Sequence, residues 1–133
     1  MIIYTSYFAN IKKLVANGIK PMSISLFPPK YFQGVKLYGV APSKSILFAK
    51  NQTHDQYEKR YRKEILAKID PQVFLQQLEL MSGGQDVALC CFEVPSSFCH
   101  RHILAAWLNE KLGLDVKEWS EPVKKEHKQL SLF

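Results

Sequence analysis

The sequence predicts one small α/β domain built on a mainly parallel sheet of three to five strands flanked by helices. Three observations carry that prediction. Residues 86–92, Asp-Val-Ala-Leu-Cys-Cys-Phe, form a short and almost wholly apolar run, the composition of a central strand covered on both faces. Apolar runs alternate along the chain with stretches of helical spacing, the order in which parallel strands and crossover helices are laid down. The 133 residues suffice for one packed core and are cramped for two, and a hydrophobic content of 47% lies in the globular range.

Each element has a local reason. Residues 1–5 are β-branched and aromatic, which suits a buried strand. A short helix over residues 9–16 is closed by Asn17-Gly18, where glycine can take the left-handed conformation that ends helices. Residues 22–27 alternate apolar side chains with Ser23 and Ser25 as a second strand, which Pro28-Pro29 stops by withdrawing two ladder donors. Residues 30–41 hold two glycines and many aromatics without a period, and read as an ordered excursion packed over the strand ends. Pro42 introduces a helix over residues 43–50. Tyr57, Tyr61, Ile65 and Leu66 share one face of a helix over residues 53–68. Asp70-Pro71 is an N-cap with a first-turn proline, launching a helix through Val73, Leu75, Leu78 and Leu80 to Gly83-Gly84. After the strand at 86–92, residues 93–97 break the chain direction. A helix of about sixteen residues then runs to Gly113, turning Leu104, Trp107, Leu108 and Leu112 inward. Residues 116–119 make a last edge strand. The domain thus occupies residues 1–121, and residues 122–133 form an exposed, charged tether that ends in an apolar peptide.

Composition limits the function classes. Eighteen Lys and Arg against twelve Asp and Glu give a net charge of +6, which steers a protein toward polyanions such as DNA or RNA. Much of it lies in Lys59, Arg60, Arg62, Lys63 and Lys68, interleaved with Glu58 and Glu64, and there the pattern is that of a solvated helix face. No apolar run approaches the roughly 18 to 20 residues of a membrane span and no leader pattern opens the chain, so the expectation is a cytoplasmic protein without a membrane partner. An odd cysteine count (Cys90, Cys91, Cys99) with a vicinal pair argues against a secreted disulfide framework, and reduced thiols are expected.

Strand, turn, then Cys99-His100-Arg101-His102 at a helix start is the place where an α/β sheet presents its ligand site. Unpaired amides there favour an anion and a thiolate, Arg101 supplies a planar fork for phosphate or carboxylate, and Glu93 at the strand end could orient Arg101 or His100. The structural alternative is that His100 caps carbonyls, Cys99 fills an apolar gap and Arg101 pairs with Glu93. Two chemistries fail on the residues as written. A cysteine-dependent phosphatase needs an arginine six positions after its cysteine, where Ala105 stands. Zinc needs separated ligand pairs, whereas Cys90 and Cys91 point to opposite faces of a strand and Cys99, His100 and His102 crowd one turn. No metal or cofactor is expected. Adjacent residues on a helix point about 100° apart, so Cys99 and His100 are poorly set to share a proton and a base would come from elsewhere.

Residues 90–108, Cys-Cys-Phe-Glu-Val-Pro-Ser-Ser-Phe-Cys-His-Arg-His-Ile-Leu-Ala-Ala-Trp-Leu, resemble the signature of the bacterial domain-of-unknown-function 488 family: a strand, an acidic residue, then Cys-His-Arg opening a helix. Tyr57-Glu58-Lys59-Arg60-Tyr61 with Asp70-Pro71 is similar to that family's helical segment, and Ile2, Tyr4, Thr5 and Ser6 with residues 25–29 are similar to its first two strands. The resemblance implies an α/β fold with a compact polar pocket made by Glu93, Cys99, His100 and Arg101. It implies no particular reaction. Where many relatives place arginine or histidine before the proline, this chain has Phe27.

The chain ends Gln129-Leu130-Ser131-Leu132-Phe133, which resembles the pentapeptide by which bacterial polymerases and repair proteins bind the DNA sliding clamp, the polymerase III beta subunit. Leu130, Leu132 and Phe133 would fill preformed apolar pockets while the Gln129 amide fixes register, each anchor contributing about 1.5 to 3 kcal/mol. The expected function is therefore an accessory protein of DNA replication or repair that docks on the clamp and carries an anion- or nucleotide-binding pocket. An enzyme acting on a phosphorylated or nucleic-acid substrate through Cys99, His100 and Arg101, or an inhibitor that occupies the clamp, are the alternatives.

Overall fold

The computed structural model describes residues 1–92 and 98–122. Strands β1 (Ile3–Tyr7), β2 (Lys20–Ser23), β3 (Val35–Lys36), β4 (Val87–Cys91) and β5 (Lys117–Glu118) form one all-parallel sheet in the order β3-β2-β4-β1-β5. Helices α1 (Ile11–Ala16), α2 (Lys44–Leu47), α3 (His54–Arg60), α4 (Pro71–Ser82) and α5 (His100–Leu112) complete the described fold. The apolar run at residues 87–91 is the central strand, buried at every position and paired with β1 from Ile3↔Val87 to Tyr7↔Cys91.

Strand alternation divides β4 between two cores. Val87, Leu89 and Cys91 face a large cluster with Met22, Tyr61, Leu78, Leu104 and Leu108, while Ala88 and Cys90 face a smaller one with Phe8, Leu14 and Trp119. Cys90 and Cys91 thus lie on opposite faces, as the spacing requires.

Capping chemistry fixes the helix ends where the sequence places them. The Asp70 carboxylate accepts from the amides of Gln72 and Val73, Pro71 occupies the first turn, and Gly83 closes α4 at φ 65°. Thr53 and Gln56 form a reciprocal capping box on α3. Helix α5 ends at Gly113, φ 64°.

Several boundaries differ from the expectation. Strand β2 lies at Lys20–Ser23 rather than 22–27, because the Ser23 hydroxyl accepts from the Ser25 amide at 3.2 Å and turns the backbone out of the ladder. Pro21 is tolerated there: the neighbouring residues Lys20 and Ile24 donate toward the β4 side, so its missing donor faces β3, which pairs only from Met22 onward. The excursion over residues 30–41 contains strand β3, and Gly34 precedes it because a Cβ there would stand 3.2 Å from the Pro21 carbonyl oxygen. The helix expected over 53–68 is α-helical only to Arg60 and continues as a π turn (Tyr61–Ile65) and a 3-10 turn (Leu66–Lys68). Three of its five basic residues are paired in place: Arg60 with Glu64 at 2.7 Å, Arg62 with Glu58 at 2.9 Å and Glu110 at 3.0 Å, and Lys59 with Asp55 at 3.1 Å. Helix α5 has 13 residues and starts at His100. Among the described residues no helix is long and apolar enough to cross a membrane. Glu93 and the terminal peptide Gln129 to Phe133 lie outside the described residues.

Candidate active site

The expected junction falls at the carboxyl ends of β2 and β4, where β4 stops at Cys91 and α5 begins at His100. Cys99 is the N-cap of α5 and holds extended backbone angles, φ −155° and ψ 145°. It has therefore not entered the helix, and the helical spacing of about 100° does not separate it from its neighbour. Cys99 Sγ lies 3.7 Å from His100 Nδ1. The expectation that these two side chains point apart is thus corrected by the backbone of the cap residue.

The imidazole has a defined tautomer. His100 Nε2 stands 2.7 Å from the carbonyl oxygen of Ile24, just past β2. A carbonyl only accepts, so Nε2 carries the proton and Nδ1 presents a lone pair toward Cys99. Burial, helped by the nearby charge of Arg101, lowers the His100 pKa to about 4, against the opposing Ile24 hydrogen bond, so the ring is neutral at physiological pH. Tyr61 packs edge-on against it, centroids 5.5 Å apart, and donates its hydroxyl to the Val40 carbonyl at 2.6 Å. Burial raises the Tyr61 pKa well above 10, so it serves as a wall and a hydrogen-bond donor.

Arg101 is fully buried, and the carboxylate it meets is Glu118 of β5. Its Nε donates to Oε1 at 3.0 Å and its Nη2 to Oε2 at 3.3 Å, while Nη1 donates to Cys91 Sγ at 2.7 Å. Thr5 on β1 donates its hydroxyl to the same Glu118 at 2.7 Å. The guanidinium therefore holds the start of α5 against β5 and β1, and it does not line the pocket as the expected anion fork. Sequence reasoning missed Glu118; its one signal was a lone acid on a predicted edge strand beside buried Thr5.

The sulfurs of Cys91 and Cys99 meet at the carboxyl end of β4, but their Cα atoms stand 7.5 Å apart, wider than a disulfide spans, so the pair is two thiols in contact. Their proximity follows from position: one ends β4 on the α5 face, and the other caps α5. Cys90 is free on the opposite face, and burial pushes its thiol pKa up to about 12, leaving it inert.

Above Cys99 and His100 opens a cavity of about 400 Å³. Its walls are aromatic: Phe27, Phe48, Tyr57, Phe92 and Phe98. Ser25, Cys99 and His100 are buried and supply its polar base, while Phe27, Phe48 and Phe92 are exposed at the mouth. Among the described residues no cluster of three or more His, Cys, Asp or Glu side chains is placed to hold a metal ion.

Fold and site together define a small parallel α/β domain with a sulfur–imidazole pocket at the carboxyl ends of its strands. The family model described as the active DUF488-N3 subclade matches residues 23–112, a range that runs from the last residue of β2 through α5 and includes the Cys99-His100-Arg101 sequence. The chain belongs to the DUF488 family. Comparisons with curated proteins and with solved structures give no match.

Proposed function

We propose that this protein is an accessory factor of DNA replication or repair whose pocket performs thiol chemistry on a phosphorylated or nucleic-acid-derived substrate. The observation that carries the chemical half is the His100 tautomer, with Nε2–H fixed on Ile24 and the Nδ1 lone pair turned to Cys99. Nδ1 can take the thiol proton as sulfur attacks an electrophilic centre, and can return it to the leaving group; the Ile24 carbonyl supports the imidazolium in between. The resting ring is neutral, so the proton moves with the attack rather than before it. The description of the matching subclade as active is in keeping with a working site. Arg101 acts through Glu118 and Cys91 as a positioning residue.

The tail supports the setting. Gln129, Leu130, Ser131, Leu132 and Phe133 match the clamp-binding pentapeptide at each position, behind a segment that begins Val123-Lys124-Lys125-Glu126 and is too polar to extend the core. A pull-down of the full chain on the sliding clamp tests this: the wild type is retained and the Leu132→Ala, Phe133→Ala double variant is lost. Equal recovery of both would overturn clamp recruitment.

A further inference from the structure

The basic charge of this protein is confined to one part of the chain. Residues 1–54 hold seven lysines and no aspartate or glutamate, whereas the remaining 79 residues hold 11 Lys and Arg against 12 Asp and Glu. That acid-free stretch builds β2, β3 and α2 and supplies the pocket wall of Leu26, Phe27, Pro42, Leu47 and Phe48. Lys13 pairs with Glu121 and Lys20 donates to the Met81 carbonyl. Lys30, Lys36, Lys44 and Lys50 are exposed and make no ion pair among the described residues. Lys44 and Lys50 bracket the Leu47-Phe48 wall, and Lys30 follows Phe27 by three residues.

The mouth of the pocket is aromatic. Phe27, Phe48 and Phe92 are 50%, 64% and 52% exposed, and the rings of Phe27 and Phe48 lie within 29° of parallel with centroids 6.1 Å apart. Large apolar rings left in water, with exposed lysines two to four residues away along the chain that make no ion pair among the described residues, mark a surface made for a ligand that is both planar and anionic. A duplex offers phosphates and hides its ring faces in the stack. A single strand offers both, and an unstacked base can enter the cavity and present its polar edge to Ser25 and His100.

We propose that the rim binds single-stranded nucleic acid, its backbone along Lys30, Lys44 and Lys50 and one base stacked on Phe27 or Phe48 at the pocket mouth. This rests on the pocket reading above and names its substrate class. Fluorescence anisotropy of the full chain with a labelled oligothymidylate, a duplex of equal length and anionic phosphatidylserine vesicles tests it. The expected results are tighter binding to the single strand than to the duplex, affinity that falls steeply with salt, and losses of about tenfold or more for Phe27→Ala, Phe48→Ala and for Lys44→Glu, Lys50→Glu. These side chains are on the surface, and unchanged thermal melts would exclude unfolding as the cause. Equal affinity for single strand and duplex with no effect of the phenylalanine changes would overturn the proposal, as would preferential, lysine-dependent binding to the vesicles. The assay reads neither thiol chemistry nor clamp binding, so its failure is separable from theirs: Cys99 alkylation in the same sample reports the catalytic reading independently.

Discussion

At Cys99 the backbone is still extended, and that one conformation decides what His100 can do. Had the helix begun a residue earlier, sulfur and ring would diverge; as it is, they face each other at 3.7 Å. The identity of the residues was legible in the sequence, and so was their place at a strand-to-helix turn. Their contact was not, because a cap residue's backbone angles are set by tertiary packing and not by its own sequence. The neutral ring has a consequence for stability. His100 has an unfolded value near 6.5 and a folded value of about 4, so between them the unfolded chain binds a proton that the folded chain refuses. Its contribution is complete above pH 6.5 and is lost as pH falls toward 4, on the order of 3 kcal/mol in all. Urea denaturation at pH 7 and pH 4.5 measures this. Wild type should lose stability on acidification by much more than His100→Gln, and equal losses would contradict the buried neutral imidazole.

Among the elements, those with a strong local signature came through and those set by neighbours did not. The central strand and α4 announce themselves, one by an unbroken apolar run and the other by Asp70-Pro71 at its start and Gly83 at its end. Strand β3 is two residues long and exists only because β2 offers an edge, so no periodicity reveals it. The π turn after α3 is equally invisible in apolar spacing, yet it carries Tyr61, whose hydroxyl reaches Val40. The tie between α5 and β5 is of the same kind, since Arg101 and Glu118 are 17 residues apart and meet only in the folded sheet. Glu118→Gln takes a negative charge away from a fully buried guanidinium and should destabilise the chain by up to about 3 to 5 kcal/mol in chemical denaturation. Arg101→Met combined with Glu118→Met removes both charges and should recover much of that loss. Additive losses would show that the pair does not act as a unit.

Across the whole molecule the parallel α/β architecture was readable, while the functional face was not, because it is assembled from distant segments. Phe27, Phe48, Phe92 and Phe98 come from three parts of the chain, and Phe27 read in the sequence as the end of a strand and as a departure from the arginine or histidine that many relatives place before the proline. The evenly mixed charges of α3 drew attention in the sequence, whereas the segment that walls the pocket carries lysines and no acid. The sulfur of Cys99 joins these scales: it caps α5, touches Cys91 at the end of β4 and faces His100, so its reactivity reports all three contacts at once. Timed iodoacetamide labelling of the full chain, resolved by cysteine in mass spectrometry, tests this directly. The account predicts that Cys99 is the first cysteine alkylated and is slowed several-fold by His100→Gln, while Cys90 stays unlabelled until the chain unfolds. Alkylation of Cys99 no faster than Cys90, or at a rate indifferent to His100, would contradict it.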